Sequence, residues 1–587
     1  MQFNRIRALF TIVLLAVSAL TQTPDDANAE KMKRQAKLLE TIVADAKTLK
    51  LPENRAFVLA HAANAYWTTD EKLARRLFDE AAAELITAQT EAAAEKNGMQ
   101  YFQALIYGQS PRHEILEAAG ARDAGMALEM MLRTRPEKLA RAVAEYGGST
   151  ASMGGQYAFA EITVEQKLLA EAALQDPQTA VKRIRESLKR GITYETVNLL
   201  ERIYSKDPET AEKLAPDVAA RLLEIDFAKD QQGAETAGLF IGRFGRETAP
   251  TDKVLRVPEK TIRDLAGKLF DFWLDPKTAQ LNGYWNAQAV LEKRLPERFA
   301  AAKQKQDKLQ NQYQTPEGLE YSKLTTAEAS PDEMVARAPE FSPGYRNELY
   351  RLAADKYAQN GNFELAEKLL RTNITEEESD RYLSQYYSNF AIRAAGEDRF
   401  EAAQGFASQI TDDNQKLTAL IYLAQRLYQK DREKNLSAAL GILRAARETI
   451  DSTPESQEDL NRTATLASAF AELDPGESFR LLEPLAGPLN ELAQATFVMA
   501  KFRSYGGYRQ GELQMAGAYY PGISYLDSLL QTLRDKDFER TLRFTNGFER
   551  PEVRLKLQLR LLDESLTAGG TTISLPISGR FSKIDFR

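Results

Sequence analysis

The motif Asp176-Pro177-Gln178-Thr179-Ala180 returns 31 residues later as Asp207-Pro208-Glu209-Thr210-Ala211, and 68 residues after that as Asp275-Pro276-Lys277-Thr278-Ala279. Each copy carries the chemistry of a helix start. Asp accepts from the orphan N–H groups of the first turn, Pro suits the first helical position, and Ala packs one turn in. Arg135-Pro136-Glu137 and Asp474-Pro475-Gly476 are related starts. This recurrence constrains the fold more than any other feature. A helix pair that cannot bury its apolar face alone can stack on its neighbours, and the core then grows without the usual limit of roughly 100–200 residues per domain. A chain of 587 residues is accommodated that way.

The rest of the sequence agrees. The chain is rich in Ala, Leu, Glu, Lys and Arg, which favour helix, and period-2 strand patterns are nearly absent. Leu38, Leu39, Ile42, Val43, Ala46 and Leu49 fall on one face at helical spacing, and Leu51-Pro52-Glu53 breaks that helix. Thr68-Thr69-Asp70-Glu71 reads as a capping box, as does Thr163 with Gln166.

The C-terminal half has its own unit. Phe363-Glu364-Leu365-Ala366 is followed by Ile374-Thr375, and Phe400-Glu401-Ala402-Ala403 by Ile410-Thr411; Phe538-Glu539 opens a third copy. Tyr357, Gly361, Phe363, Ala366 and Leu370 fall where tetratricopeptide repeats place their first-helix aromatic, turn glycine and small second-helix residues. The next copy keeps Ala391, Phe400, Ala403 and Ala407 and puts Asp398 in place of the turn glycine; an N-terminal copy keeps Ala74, Phe78 and Ala81. The chain thus resembles a degenerate tetratricopeptide-like protein. The resemblance implies an all-α fold, an α-solenoid of stacked antiparallel helix pairs in two arrays, and binding of a protein or peptide.

Composition sets the divisions. Residues 1–29 read as a cleavable signal peptide: Arg5 and Arg7 precede an apolar run from Ala8 to Leu20, and Ala27 and Ala29 fit a cleavage site before Glu30. The expected address is periplasmic or secreted, with no membrane span after signal removal. Residues 30–302 form the first expected array. Residues 303–343, Lys/Gln-rich and then Pro-rich, read as a hinge with one short helix capped at Ser330-Pro331. Residues 344–567 form the second array and 568–587 an irregular tail.

The same counts exclude chemistry. With 0 Cys there are no disulfides, thiol catalysis or iron–sulfur ligation, and 2 His, His61 and His113, leave almost nothing for imidazole metal sites or catalytic triads. A net charge of -7 argues against nucleic acid. No catalytic, cofactor or metal-binding residue is expected. His61, among alanines, reads as a packed histidine, and His113 as lying near a helix start. Tyr66-Trp67 reads as a helix-end plug, and Trp273 and Trp285 as packing residues. Gly147 to Gly155 reads as a flexible loop, since it lacks the Gly-Lys-Ser/Thr of a phosphate loop.

The segment from Tyr505 to Tyr525 breaks the helical pattern with tyrosines and glycines. Arg503, Tyr505, Tyr508, Arg509, Tyr519, Tyr520 and Tyr525 are therefore the candidate partner-binding residues, because tyrosine joins a large contact area to a polar tip and arginine supplies anion or backbone contacts. The expectation is an exported, non-enzymatic helical-repeat scaffold for a protein or peptide partner. Two alternatives stay open: a carbohydrate-active α/α-toroid enzyme using paired carboxylates, and a structural envelope spacer. Glu564-Ser565 mimics the catalytic dipeptide of lytic transglycosylases, but too little chain follows for their lysozyme-like domain.

Overall fold

The computed structural model describes residues 24–94, 110–150, 152–247, 253–311, 315–326, 328–450, 453–502, 507–516, 523 and 525–562. These residues form α-helices joined by short turns, plus one two-stranded ribbon, so the fold is all-α. Residues 1–23 of the expected leader and the expected tail 568–587 lie outside the described residues. The expected cleavage point after Ala29 falls within the first described helix, Pro24–Ala46. Among the described residues no helix is long and apolar enough to cross a membrane.

The chain forms two compact units. One comprises Met1–Thr134, Phe497–Ala518 and Glu539–Arg587, the other Arg135–Thr496 and Tyr519–Phe538. The second unit is a solenoid in two layers. Helices Pro177–Arg190, Pro208–Glu224, Glu259–Leu274 and Pro296–Asn311 pack side by side in one layer; Met153–Gln175, Glu195–Lys206, Gln231–Phe244 and Tyr284–Arg294 pack likewise in the other. Further along, Pro343–Gln359, Glu376–Gly396, Asp413–Lys430, Gln457–Leu473 and Leu526–Lys536 line up as neighbours. The first four pair with the shorter helices Phe363–Asn373, Phe400–Ser408, Arg432–Arg447 and Pro475–Leu482. Successive helices of each row thus meet, and most pair with a sequence neighbour as well, which is how stacked pairs share a core. The stretch 303–343 lies within this unit: Pro296–Asn311 runs into it, followed by Pro316–Leu324 and Pro331–Arg337. Ser330 caps the last of these through Glu333 N–H at 3.1 Å.

Several helix starts form as the motifs direct. Asp207 accepts from Thr210 N–H at 3.1 Å and from the Thr210 hydroxyl at 2.7 Å, and Asp474 from Glu477 N–H at 3.0 Å. Three differ. Asp275 opens no helix; its carboxylate takes Lys277 N–H at 2.8 Å within a turn, the Thr278 hydroxyl turns back to Phe272 O at 2.7 Å, and the next helix begins at Tyr284. Asp70, rather than Thr68, caps Glu71–Ala94, through Leu73 N–H at 2.9 Å. Thr163 lies inside the long helix Met153–Gln175, which Ser152 caps through Gly155 N–H at 3.1 Å; the Thr163 hydroxyl is spent on Phe159 O at 2.8 Å. A Cβ on Gly155 would sit 1.9 Å from Ser149 O, so this turn requires glycine.

The Phe-Glu units repeat in geometry as well as in sequence. Gly361 and Asp398 both take the left-handed conformation, φ 84 and φ 60. In each case the next residue closes the helix end, Asn362 N–H to Tyr357 O and Arg399 N–H to Ala394 O, both at 2.8 Å. Asp is among the few residues that replace glycine there at modest cost.

In the first unit, helix Pro52–Tyr66 is buried almost all round and packs against Glu71–Ala94, Pro111–Gly120 and Pro551–Leu562. Helices apolar on every side belong in a core. Leu38, Leu39, Ile42, Ala46 and Leu49 are buried as their spacing directs, while Val43 is half-buried.

Candidate functional site

Of the candidate residues predicted from the sequence, Arg503, Tyr505, Tyr519 and Tyr520 lie outside the described residues. Tyr508 and Arg509 form the first strand of the ribbon and pair with Glu512-Leu513. Gln510 and Gly511, at φ 48 and φ 84, make the tight turn between them. Tyr508 is half-buried. Arg509 points inward, and its guanidinium bonds the buried Glu53 carboxylate at 3.0 Å and reaches Glu91 at 3.4 Å. Glu512 accepts from the backbone N–H groups of Lys50 at 2.7 Å and Leu51 at 3.0 Å. Asn54 bonds Leu513 O at 3.0 Å and takes Met515 N–H at 2.7 Å. From the last described helix, Pro551–Leu562, Lys556 donates to Met515 O at 2.9 Å. The ribbon is a polar latch inside the first unit. Tyr525 belongs to the second unit, exposed at the start of Leu526–Lys536.

The second unit carries an aromatic and arginine cluster that was not among those candidates. Tyr321 comes from Pro316–Leu324; Tyr345, Glu348 and Arg351 come from Pro343–Gln359; Arg381, Tyr382 and Tyr386 come from Glu376–Gly396. The rings of Tyr321 and Tyr345 lie 4.7 Å apart. Arg351 holds Glu348 through two nitrogens, at 2.8 Å and 2.5 Å. Tyr382 receives two guanidinium groups against its ring, Arg381 at 5.2 Å and Arg351 at 5.9 Å. The buried Tyr386 hydroxyl donates to Arg351 O at 2.8 Å, joining the neighbouring helices.

Tyr321, Tyr345 and Tyr382 rest half-buried on a core that contains Leu349, Tyr350, Ala353 and Leu383. Burial raises the phenols of Tyr321 and Tyr386 above their ordinary value, so both keep their protons. Rigid aromatic rings on an apolar floor, flanked by a pre-oriented guanidinium fork, can contribute strongly to binding a peptide or protein surface. The residues are 65 positions apart from end to end and lie on three helices, so no single-helix periodicity gathers them.

Other expected positions also resolve. Trp273 is fully buried and donates to Asn282 O at 2.9 Å, whereas Trp285, expected to pack, is 64% exposed. Trp67 is half-buried, edge-on to Phe78, with Arg75 over its ring at 4.8 Å. His61 is buried against Phe57; His113 sits in the first turn of Pro111–Gly120 and contacts Glu117 at 2.9 Å. Among the described carboxylates, burial pushes Asp230 up to about 6 and raises Glu552. Asp230 is engaged as a helix cap, accepting from Gly233 N–H at 2.8 Å.

No family model matches this chain, and no curated protein matches it. Among solved structures, it is similar to a circular tandem repeat protein with novel repeat topology and enhanced subunit contact surfaces. The match has 16% identity, covers 90% of this chain and 100% of the other, and has a TM-score of 0.18. A superposition that loose carries no argument. The solenoid assignment rests on the helix neighbours described above.

Proposed function

We propose that this chain is an exported, non-enzymatic scaffold of tetratricopeptide-like helix pairs that binds a protein or peptide partner. The observation that carries the reading is the cluster of half-exposed Tyr321, Tyr345 and Tyr382 with Arg351 and Arg381 on one apolar floor. Aromatic and arginine side chains dominate binding energy where they are well supported. The leader pattern at residues 1–29, with Arg5 and Arg7 before the apolar run, supports a partner in the bacterial envelope or outside the cell.

The test uses the full chain expressed with its leader. It should be recovered from the periplasmic or secreted fraction with Glu30 as its first residue, and mild crosslinking should capture a discrete partner. The double variant Arg381→Ala/Tyr382→Ala should reduce that capture at least tenfold while its melting temperature stays close to the parent's. A parent that is recovered alone, or a double variant that captures as well as the parent, overturns the reading.

A further inference from the structure

In the first unit, Glu552 lies in the first turn of helix Pro551–Leu562 and is completely shielded from solvent. Neither of its carboxyl oxygens closes a hydrogen bond with a protein donor. The Arg550 guanidinium stops 3.7 Å short of it. That guanidinium is committed elsewhere: it donates to Gly511 O at 2.9 Å and lies over the Phe497 ring at 3.7 Å. The backbone N–H groups of Glu552 and Leu513 are near enough to favour a charge on the carboxyl, yet neither reaches hydrogen-bond geometry.

The second strand of the ribbon faces this carboxyl. The Gln514 N–H crosses the ribbon to Gly507 O at 2.7 Å, so the Leu513 N–H points off its free edge, toward Glu552. Glu512 turns its own negative charge on Glu552 while its oxygens accept from Lys50 N–H at 2.7 Å and Leu51 N–H at 3.0 Å. The other charges nearby are spoken for. Arg509 pairs with Glu53 and Glu91, and Arg55 with Glu84. Lys50 and Lys556 donate to Gln510 O and Met515 O, and Arg554 to Phe548 O. Helix Pro24–Ala46 also packs on Pro551–Leu562; its described charged side chains are exposed or, at Asp45, half-buried.

A buried carboxylate without a donor is costly, and where two carboxylates face each other one of them holds its proton more tightly. Burial raises the Glu552 carboxyl above its ordinary value, and Glu512 adds to that rise. We propose that Glu552 is a proton-operated catch for the ribbon 507–516. With its proton, Glu552 is a neutral group beneath the second strand, and the ribbon stays docked. Without it, a second negative charge stands against Glu512 and drives the ribbon off. Release uncovers Arg509, which the docked ribbon commits to Glu53. Docking is therefore firmest below the ordinary carboxyl value of 4.5 and is lost as pH rises through the higher value of the folded chain.

Hydrogen–deuterium exchange of the intact chain between pH 5 and 8 tests this, read in peptides covering 507–516 and corrected for the intrinsic exchange rate at each pH. Protection of the parent's ribbon should fall at least tenfold over that range, about tenfold for each unit by which the carboxyl is raised. Glu552→Gln and Glu552→Leu carry no charge at any pH, and their ribbons should keep constant protection. Using both a polar and an apolar replacement keeps the test open should one fail to fold, which circular dichroism reports. Asp230 shifts in the same direction but belongs to the second unit, so a readout local to the ribbon excludes it. Parent protection that is level from pH 5 to 8, or that falls equally in a folded Glu552 variant, overturns the proposal.

Discussion

His61 sits in the core of the first unit, 4.3 Å from the Phe57 ring, with Arg560 and Lys556 near enough to oppose a positive charge on it. Burial, with those two cations, lowers its pKa from 6.5 to about 3. The unfolded chain therefore takes up a proton at this residue as pH falls through 6.5, while the folded chain refuses it until about 3. Stability contributed here is complete above 6.5 and is lost as pH falls through the window between the two values. The limiting slope is about 1.4 kcal/mol per pH unit. The raised Asp230 acts in the opposite sense, adding stability as pH falls through about 6, so the two are separated by comparing variants. His61→Leu should flatten the loss of stability between pH 6.5 and 5, read as the pH dependence of the urea midpoint. A variant with the parent's slope would remove His61 as the source. The packed histidine was legible in the sequence from its alanine neighbours. Its lost proton was not, because it follows first from complete burial, which tertiary packing sets, and then from cations almost 500 positions away.

At the scale of elements, the sequence was most readable where the chemistry is local. A helix cap needs only a few consecutive residues, so Asp207, Asp474 and Ser330 cap as expected, and Asp398 fills the left-handed turn that Gly361 fills one repeat earlier. Asp275 shows the limit of that logic, because the same motif closes a turn when the following residues bond backward to Phe272. The ribbon shows a second limit. Its tight Gln510-Gly511 turn is local, but the fate of Arg509 depends on Glu53, 456 residues away. Removing one member of a buried ion pair leaves an uncompensated charge and costs about 3–5 kcal/mol, while replacing both with matched uncharged residues is often close to neutral. Arg509→Met should therefore lower the urea midpoint sharply, and Arg509→Met/Glu53→Gln should recover most of the loss. Equal losses in the single and double variants would show that the pair is not the ribbon's fastening. The aromatic cluster around Tyr382 was missed for a related reason. Its residues come from three helices, and side chains are gathered there by packing between elements rather than by spacing within one.

At the scale of the whole molecule, the two ends of the chain contribute to one compact unit, while the middle forms the other. Repeat motifs describe neighbours, so they predict the layers of the second unit well and carry no signal for a bond such as Lys50 N–H to Glu512, across 462 residues. The physics permits that closure cheaply. Loop entropy grows only logarithmically, and a loop of this length costs about 3 kcal/mol more to close than one of about 15 residues. Burial offsets it: Val553, Leu555, Leu557, Leu559 and Leu561 of the last described helix are all buried, and that helix packs against Pro24–Ala46 and Pro52–Tyr66. A chain ending at Phe538 should then leave residues 24–134 without a large part of their core, while the layered helices of the second unit keep their own neighbours. Limited trypsin digestion, read by mass spectrometry, should show rapid cleavage within 24–134 of the shortened chain and lasting fragments from 135–496. If 24–134 stays as protected as in the full chain, the N-terminal helices hold together without the C-terminal ones, and the closure between the two ends is not what stabilises that unit.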